Sequence, residues 1–275
     1  GRHTVGKTEN SRAIRRFKYQ REDFGDLPVK LEHLKMHINF AGEKVEASCI
    51  IQMSAAVAID EIELDAKDLE IDGVELLASL EDANAASVDF EYRRDKDKLV
   101  IKLPRRVAPL ERFFVRTRSR CAPTEHMLEG IYKDSTPKGA PQQFISQCQQ
   151  WGFQRIMPIF DDCRAKCTMS TTIEASSAYT HLVSNGNISK SLNPGGVPVP
   201  KKGDPSRQLI TYENPVPMAP YLFFVAAGTW DTLVDEVEYP SGKKVRLEYL
   251  VPPGSVKEAR VPMAILKDSV LWVGK

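Results

Sequence analysis

The stretch LKMHINFAGEKVEASCIIQM (residues 34–53) decides the fold of this chain. Residues 34–40 are apolar at every second position, and residues 45–53 repeat the same alternation. Because successive side chains of a β-strand point to opposite faces, each half predicts a strand with one buried face. The intervening residues 41–44, Ala-Gly-Glu-Lys, favour a turn. The stretch therefore predicts a half-buried β-hairpin.

Outward from this hairpin, short strand patterns recur along most of the chain. A run at residues 69–76 is interrupted by Asp72-Gly73, a dipeptide typical of a type I′ turn, so a second hairpin is predicted there. Further strands are predicted at residues 59–64, 88–93, 98–103, 112–120, 167–174, 181–184, 209–212, 221–227, 233–239 and 243–250. Many short strands with almost no helical periodicity predict an all-β chain, either a sandwich or a curved antiparallel sheet.

The pattern changes at the carboxyl-terminal end. Ser255 is suited to cap a helix, and Ala259, Met263, Leu266 and Val270 follow at spacings of three and four residues. This spacing predicts a short amphipathic helix. We expect it to be a new element whose packing partner lies outside the sequence.

Charge and composition narrow the classes of function. The chain has 38 basic and 37 acidic residues and a formal net charge of +1, which favours neither nucleic acid nor a membrane surface as partner. No apolar window is long enough to span a bilayer, and the basic residues 1–27 predict a tail or strap rather than a signal peptide. Five cysteines in a chain of this size indicate reduced thiols. We expect a cytoplasmic location.

Several segments resemble one family of enzymes. HMLEGIYK (126–133) is similar to the EGLYR stretch of aminopeptidase N-type zinc peptidases, and SQCQ (146–149) to their TQx[E/Q] segment. MPIFDDCRAK (157–166) resembles the family's PxFDEPxxK run. LVSNGN (182–187) resembles its LxSNGN turn, and PYLFFVAAG (220–228) resembles its SYLFALVAG strand. AILKDSVLW (264–272) is similar to the first helix of the family's catalytic domain. The resemblance covers residues 28–275, with Cys163 at a position where the family usually has proline.

The resemblance implies a domain organisation and a role for two side chains. Residues 28–252 would form the family's saddle-shaped β domain, and residues 253–275 would begin a truncated catalytic domain. In the TQx[E/Q] segment, Gln147 would line the pocket for the substrate's first side chain and Gln149 would face its free α-amine. The implied partners are a peptide with a free amino terminus and the chain's own catalytic domain.

The catalytic apparatus of such an enzyme is not in this sequence. Hydrolysis needs His-Glu-x-x-His on a helix, with zinc activating a water molecule. His33 and His37 have the four-residue spacing of this motif, but Leu34 stands where the motif requires glutamate. Both histidines also lie in a predicted strand rather than on a helix. We therefore expect no catalytic residue and no bound metal in this chain, zinc in the intact parent enzyme, and no turnover by the isolated chain.

Two other functions fit the same residues. The chain could belong to a non-catalytic, aminopeptidase-like scaffold for protein interaction, or it could be a self-contained β-sandwich binding module. The sequence that follows Lys275 would separate the enzyme from the scaffold, because only an enzyme needs His-Glu-x-x-His there. The binding module predicts instead that the final helix packs back on the sheet.

Overall fold

A computed structural model describes residues 25–274, so nearly all of the predicted basic tail at residues 1–27 lies outside the described residues. The strands and the helix follow one another in this order: β1 (Val29–Phe40), β2 (Val45–Ala55), β3 (Ile59–Asp65), β4 (Glu70–Leu77), β5 (Ala86–Ser87), β6 (Phe90–Arg93), β7 (Lys98–Val107), β8 (Arg112–Cys121), β9 (Gly130–Lys133), β10 (Phe144–Gln147), β11 (Cys167–Ser176), β12 (His181–Ser184), β13 (Asn187–Ile188), β14 (Val199–Lys201), β15 (Asp204–Met218), β16 (Val225–Gly228), β17 (Asp231–Glu238), β18 (Lys244–Val251) and α1 (Arg260–Val273). The predicted all-β class with a short carboxyl-terminal helix is confirmed.

The predicted hairpin of residues 34–53 lies at the centre of the largest sheet. That sheet has the order β13-β15-β11-β1-β2-β8-β4-β5, with β14 beside β15. Leu34 faces Ile51 across the antiparallel pair β1–β2, and both side chains are 0% exposed. The alternating residues that predicted the hairpin therefore form the buried face of the sheet.

One strand pairing differs from the predicted antiparallel arrangement. β1 runs parallel to β11, with Leu34 opposite Met169, whereas the other strand pairs within residues 25–274 are antiparallel. A parallel pair needs a long connection, and here more than half of the other strands lie between the two partners along the chain.

Two smaller sheets complete the main body. One has the order β12-β16-β10-β9 and the other the order β3-β7-β6. Buried side chains of these sheets and of the large sheet form one continuous hydrophobic cluster, in which Ile62, Leu99 and Phe144 are at most 1% exposed. The small sheet β12-β16-β10-β9 carries four of the six segments that resemble the family's motifs, whereas residues 157–166 lie outside it and residues 264–272 lie in α1.

Two predicted local structures are wrong. Asp72-Gly73 is not a turn, since β4 runs through it with a shift of register between Ile71 and Gly73. Gly73 instead lies at an irregularity of the β4–β8 pairing, beside the flexible end of the Arg118 side chain. Residues 221–227 are not one strand, because Pro220–Leu222 form a 3-10 turn before β16. Proline at the first position of that turn favours it over an extended chain.

The carboxyl-terminal elements form a separate small cluster. Met263 of α1 packs with Val237 of β17 and Leu247 of β18, and Leu266 and Val270 pack beside them, so the predicted apolar stripe is confirmed. The expectation that the packing partner of the helix lies outside the sequence is wrong for this stripe, which packs back on the two-stranded sheet β17–β18 as the binding-module alternative predicted. The helix begins at Arg260 rather than at Ser255. Pro262 explains the late start, since proline lacks an N–H group and is tolerated only in the first turn of a helix. Within residues 25–274 there is no helix with the length and apolar character to cross a membrane.

Candidate functional site

The candidate site is built on the end of β10. β10 lies between β9 and β16, and the Ser146 hydroxyl accepts a hydrogen bond of 2.8 Å from the backbone N–H of Val225. Beyond the strand, the N–H of Gly152 donates to the carbonyl of Cys148 at 2.8 Å and closes a tight turn. We call residues 147–152 the glutamine loop. Its Gln147 and Gln149 are both exposed.

Two glycines allow the glutamine loop to lie against β9. A Cβ at Gly152 would come within 2.4 Å of the Gln147 carbonyl oxygen and 2.7 Å of the Gly130 nitrogen. Gly130 has a φ of +73°, a conformation that side chains disfavour. The backbones therefore approach more closely than any other pair of residue types would permit.

The base of the loop is held by charge and by aromatic packing. Arg155 is 12% exposed and forms an ion pair of 3.0 Å with Glu129, from the segment HMLEGIYK, and a second ion pair with Asp68. Phe153 packs edge-on against Phe223 with ring centroids 5.1 Å apart. Guanidinium–carboxylate pairs of this kind fix orientation as well as distance.

A groove of about 570 Å³ opens beside the loop and is lined by Gln149, Gln150, Trp151, Asp162 and Tyr221 among others. The residue Tyr221 belongs to the 3-10 turn described above. That turn is anchored by Asn185 of the LVSNGN segment, whose side chain donates to the carbonyl of Leu222 and accepts from the N–H of Phe224 at 2.7 Å. Three of the recognised segments, at residues 146–149, 157–166 and 220–228, thus line one groove.

The structure separates the two predicted site residues. Gln149 lines the groove, whereas Gln147, which pairs with Gly130 at the end of β10, does not. Neither side chain hydrogen bonds to another residue in the described range 25–274. Both amide groups are therefore available to a ligand, but in different places.

A buried carboxyl group lies under the loop. Asp161 is 6% exposed, and its Oδ2 accepts a hydrogen bond of 3.1 Å from the N–H of Gln154. Burial, together with the nearby charge of Asp65, raises the pKa of Asp161 to about 7. Burial also raises the pKa of the Cys148 thiol, so this cysteine is not an activated nucleophile.

The histidines with metal-like spacing are already engaged in the large sheet. His33 contacts the hydroxyls of Thr168 at 2.7 Å and Ser170 at 2.9 Å, and His37 contacts a carboxylate oxygen of Glu174 at 3.1 Å. In the described part of the chain no three His, Cys, Asp or Glu side chains are grouped so as to hold a metal ion. The pair His33 and His37 is therefore not arranged as a zinc site.

Sequence reasoning missed three contributors to the site. Asp161 was noted only as part of the segment MPIFDDCRAK, with no role of its own. Nothing in the sequence indicated which residue Gly152 would contact, and Tyr221 was predicted to lie in a strand. Their roles depend on neighbours distant in sequence, such as Gly130 for Gly152. The local signals that could have indicated these roles were Gly152 after the polar residues 147–150 and Pro220 before Tyr221.

Comparison with known proteins gives a consistent result. The family model described as Peptidase M1 N-terminal domain matches residues 19–222. Aminopeptidase N of Caulobacter vibrioides is 30% identical over 185 residues, which cover 66% of this chain and 19% of that protein. Aminopeptidase N of Escherichia coli is 29% identical over 165 residues, covering 59% and 17%. The chain thus spans about a fifth of the length of these relatives.

A solved structure shares the fold. The crystal structure of Legionella pneumophila aminopeptidase A in complex with aspartic acid matches with a TM-score of 0.76 at 20% identity, over 91% of this chain and 27% of that one. The match confirms the fold over nearly all of the chain. Since the family model covers well over half of the sequence, the resemblance to aminopeptidase N-type enzymes is confirmed, and the chain belongs to the Peptidase M1 N-terminal domain family.

Proposed function

We propose that this chain is the substrate-binding amino-terminal part of a zinc aminopeptidase that removes the first residue from peptides. The observation that carries the proposal is the position of Gln149, whose side chain is exposed, lines the groove and has no hydrogen-bond partner within residues 25–274. The relatives named Aminopeptidase N support the substrate class.

Gln149 would recognise the free amino terminus of the substrate. Its amide carbonyl can accept a hydrogen bond from an ammonium group, but a neutral acceptor is weaker than a carboxylate. Gln147 would contact the side chain of the first residue from the edge of the same loop. The close approach of Gly130 and Gly152 would hold both glutamines in place.

Zinc and the residues that activate water would be supplied from outside the described residues. We place residues 28–252 in a saddle-shaped β domain and the start of the catalytic domain at residues 253–275. The small share of the relatives' length that this chain spans supports that division. So does α1, which leaves Val261, Ile265 and Trp272 between 61% and 74% exposed. We assign the parent protein to the cytoplasm on the basis of its sequence composition.

The test is a charge change at Gln149 in the full-length protein. Gln149→Glu should lower KM for peptides with a free amino terminus, because a carboxylate makes a charge-assisted hydrogen bond with the ammonium group; kcat should change less. We expect a decrease of about fivefold to tenfold, corresponding to roughly 1–1.5 kcal/mol for such a bond. Gln150→Glu is the matched control, since Gln150 is the adjacent exposed residue of the same groove.

Two results would count against the assignment. An unchanged KM in Gln149→Glu removes this side chain from the amine-binding site. An equal change in Gln150→Glu shows that added negative charge attracts the substrate without any specific contact. Steady-state rates with amino-acid anilides give KM for each variant. The same anilides with an acetylated amino group show whether the change in KM depends on the free amine.

A further inference from the structure

We propose that the exposed side chain of Trp151 selects substrates whose first residue carries a large apolar side chain. The inference deepens the proposed function and rests on it, because it takes Gln149 as the residue that faces the α-amine of the substrate. Trp151 is then a specificity-determining residue, and the preferred peptides begin with residues such as phenylalanine, leucine or methionine.

The position of the amine determines where the first side chain begins. In an α-amino acid the Cβ atom and the amino nitrogen are bonded to the same Cα, so they lie about 2.5 Å apart. An amine at Gln149 therefore places the start of the side chain in the groove that Gln149 lines. Gln147 does not line this groove and would contact the side chain only from its edge. Most of the contact surface for a long side chain is therefore provided by the walls of the groove.

Two aromatic side chains are presented to the groove by well-anchored segments. Trp151 lines the groove and is 57% exposed. Its backbone lies between the tight turn closed by the N–H of Gly152 and the fully buried ring of Phe153. Tyr221 lines the groove from the 3-10 turn that Asn185 anchors. An exposed ring on a fixed backbone gains from being covered by an apolar ligand group, and little order is lost in doing so.

The charged groups of the groove are already engaged. Arg164 donates from Nε and Nη2 to the two carboxylate oxygens of Asp162, at 2.9 Å and 2.6 Å, and from Nη1 to the carbonyl of Gly25. Asp161 is 6% exposed and accepts a hydrogen bond from the N–H of Gln154. A charged first side chain would therefore lose hydration in the groove without gaining an exposed, unpaired partner among the described lining residues.

A second groove beside Trp151 has a different character. Trp151 also lines this groove, which has a volume of about 590 Å³. Glu63, Lys96 and Lys98 are among its other lining residues, whereas Gln149 is not. An amine at Gln149 and an apolar side chain against Trp151 are therefore compatible with the first groove and not with the second.

The test is the selectivity of the full-length protein between phenylalanine and alanine anilides with the same leaving group. Trp151→Ala should lower the ratio of their kcat/KM values about fivefold to tenfold, since a phenyl group loses an aromatic contact that a methyl group is too short to make. Trp151→Phe keeps a ring and should retain most of the ratio. Phe90→Ala is the matched control and should leave the ratio unchanged, because Phe90 is an exposed aromatic residue of β6 in a different sheet.

The outcomes separate this inference from the function on which it rests. The inference is overturned if Trp151→Ala leaves the ratio unchanged, or if Phe90→Ala lowers it equally. If Gln147→Ala lowers the ratio and Trp151→Ala does not, the first side chain lies at Gln147, and the proposed function stands without this inference. If Trp151→Ala lowers the ratio while Gln149→Glu leaves KM for both anilides unchanged, the role of Trp151 is supported and only the assignment of Gln149 is lost.

Discussion

The main body of the chain and its carboxyl-terminal unit bury very different amounts of apolar surface. In the main body, formed by β1–β16, buried side chains from three sheets make one continuous cluster, and Leu34, Ile51 and Phe153 are 0% exposed. In the carboxyl-terminal unit, formed by β17, β18 and α1, only Val237, Leu247 and Met263 are buried within the described cluster. Hydrophobic stabilisation scales with buried apolar area, so the two regions should respond differently to the same kind of mutation.

The outer face of α1 in the carboxyl-terminal unit carries exposed apolar side chains. Val261 is 70% exposed and Trp272 is 74% exposed, although both belong to a helix whose opposite face is packed. In the main body most apolar positions of the strands are buried in the core, with Val216 of β15 a clear exception at 65% exposed. A two-stranded sheet with one short helix has little surface to bury, and it depends on its attachment to a larger body.

The largest effect is expected in the core of the main body. Leu34→Ala removes a fully buried side chain between β2 and β11 and should reduce the free energy of unfolding by about 2–5 kcal/mol. Urea denaturation followed by circular dichroism measures the loss. Val261→Ala is the matched control and should change the free energy by less than about 0.5 kcal/mol, because the side chain is exposed. Equal losses in the two variants would contradict the contrast between the regions.

A smaller and more local effect is expected from Met263→Ala. Met263 is 3% exposed and connects α1 with both strands of the hairpin, but it belongs to a small cluster in which two other residues are buried. The cost should lie near the lower limit for such a change, about 2 kcal/mol. Hydrogen exchange should show faster opening at residues 231–251 and unchanged protection at residues 34–53. If protection falls in both segments together, the two regions unfold as a single unit.

Sequence predicted the main body well because its strands are amphipathic. Residues 34–53 alternate strictly, and a register shift by one residue would expose the whole apolar face, so the pattern determines the strand and its buried side. The same pattern does not identify the strand's partner. The parallel pairing of β1 with β11 therefore could not be predicted. Asp72-Gly73 was taken for a turn because its extended conformation depends on the pairing of β4 with β8, a strand distant in sequence.

Only part of the candidate site could be predicted from the sequence. A resemblance to a known segment was enough to select Gln147 and Gln149, but which of them lines the groove depends on how the loop folds after β10. The raised pKa of Asp161 could not be predicted from the sequence, because it arises from burial and from the charge of Asp65 in β3. Both properties belong to the assembled structure rather than to any local pattern.

The smallest effect is expected at the joint between the two regions. His181 of β12 contacts the Thr232 hydroxyl of β17 at 2.9 Å and packs near Trp230, with ring centroids 6.1 Å apart. Burial lowers the pKa of His181 below its usual 6.5, outweighing the opposite influence of the carboxylates of Glu248 and Asp231. The neutral imidazole is therefore the form that stabilises the joint.

The sign of the pH dependence follows from this shift. As the pH falls below 6.5, an exposed histidine binds a proton before the half-buried His181 does, so the closed joint loses stability on acidification. Hydrogen exchange at Asp231–Glu238, corrected for intrinsic rates, should rise modestly between pH 7 and pH 5, and by less than in Met263→Ala. His181→Asn cannot be protonated and should lose this dependence, whereas exchange at residues 34–53 should stay constant in both proteins. A rise that persists in His181→Asn would mean that the weaker region responds to acid through its own carboxylates and not through its contact with the main body.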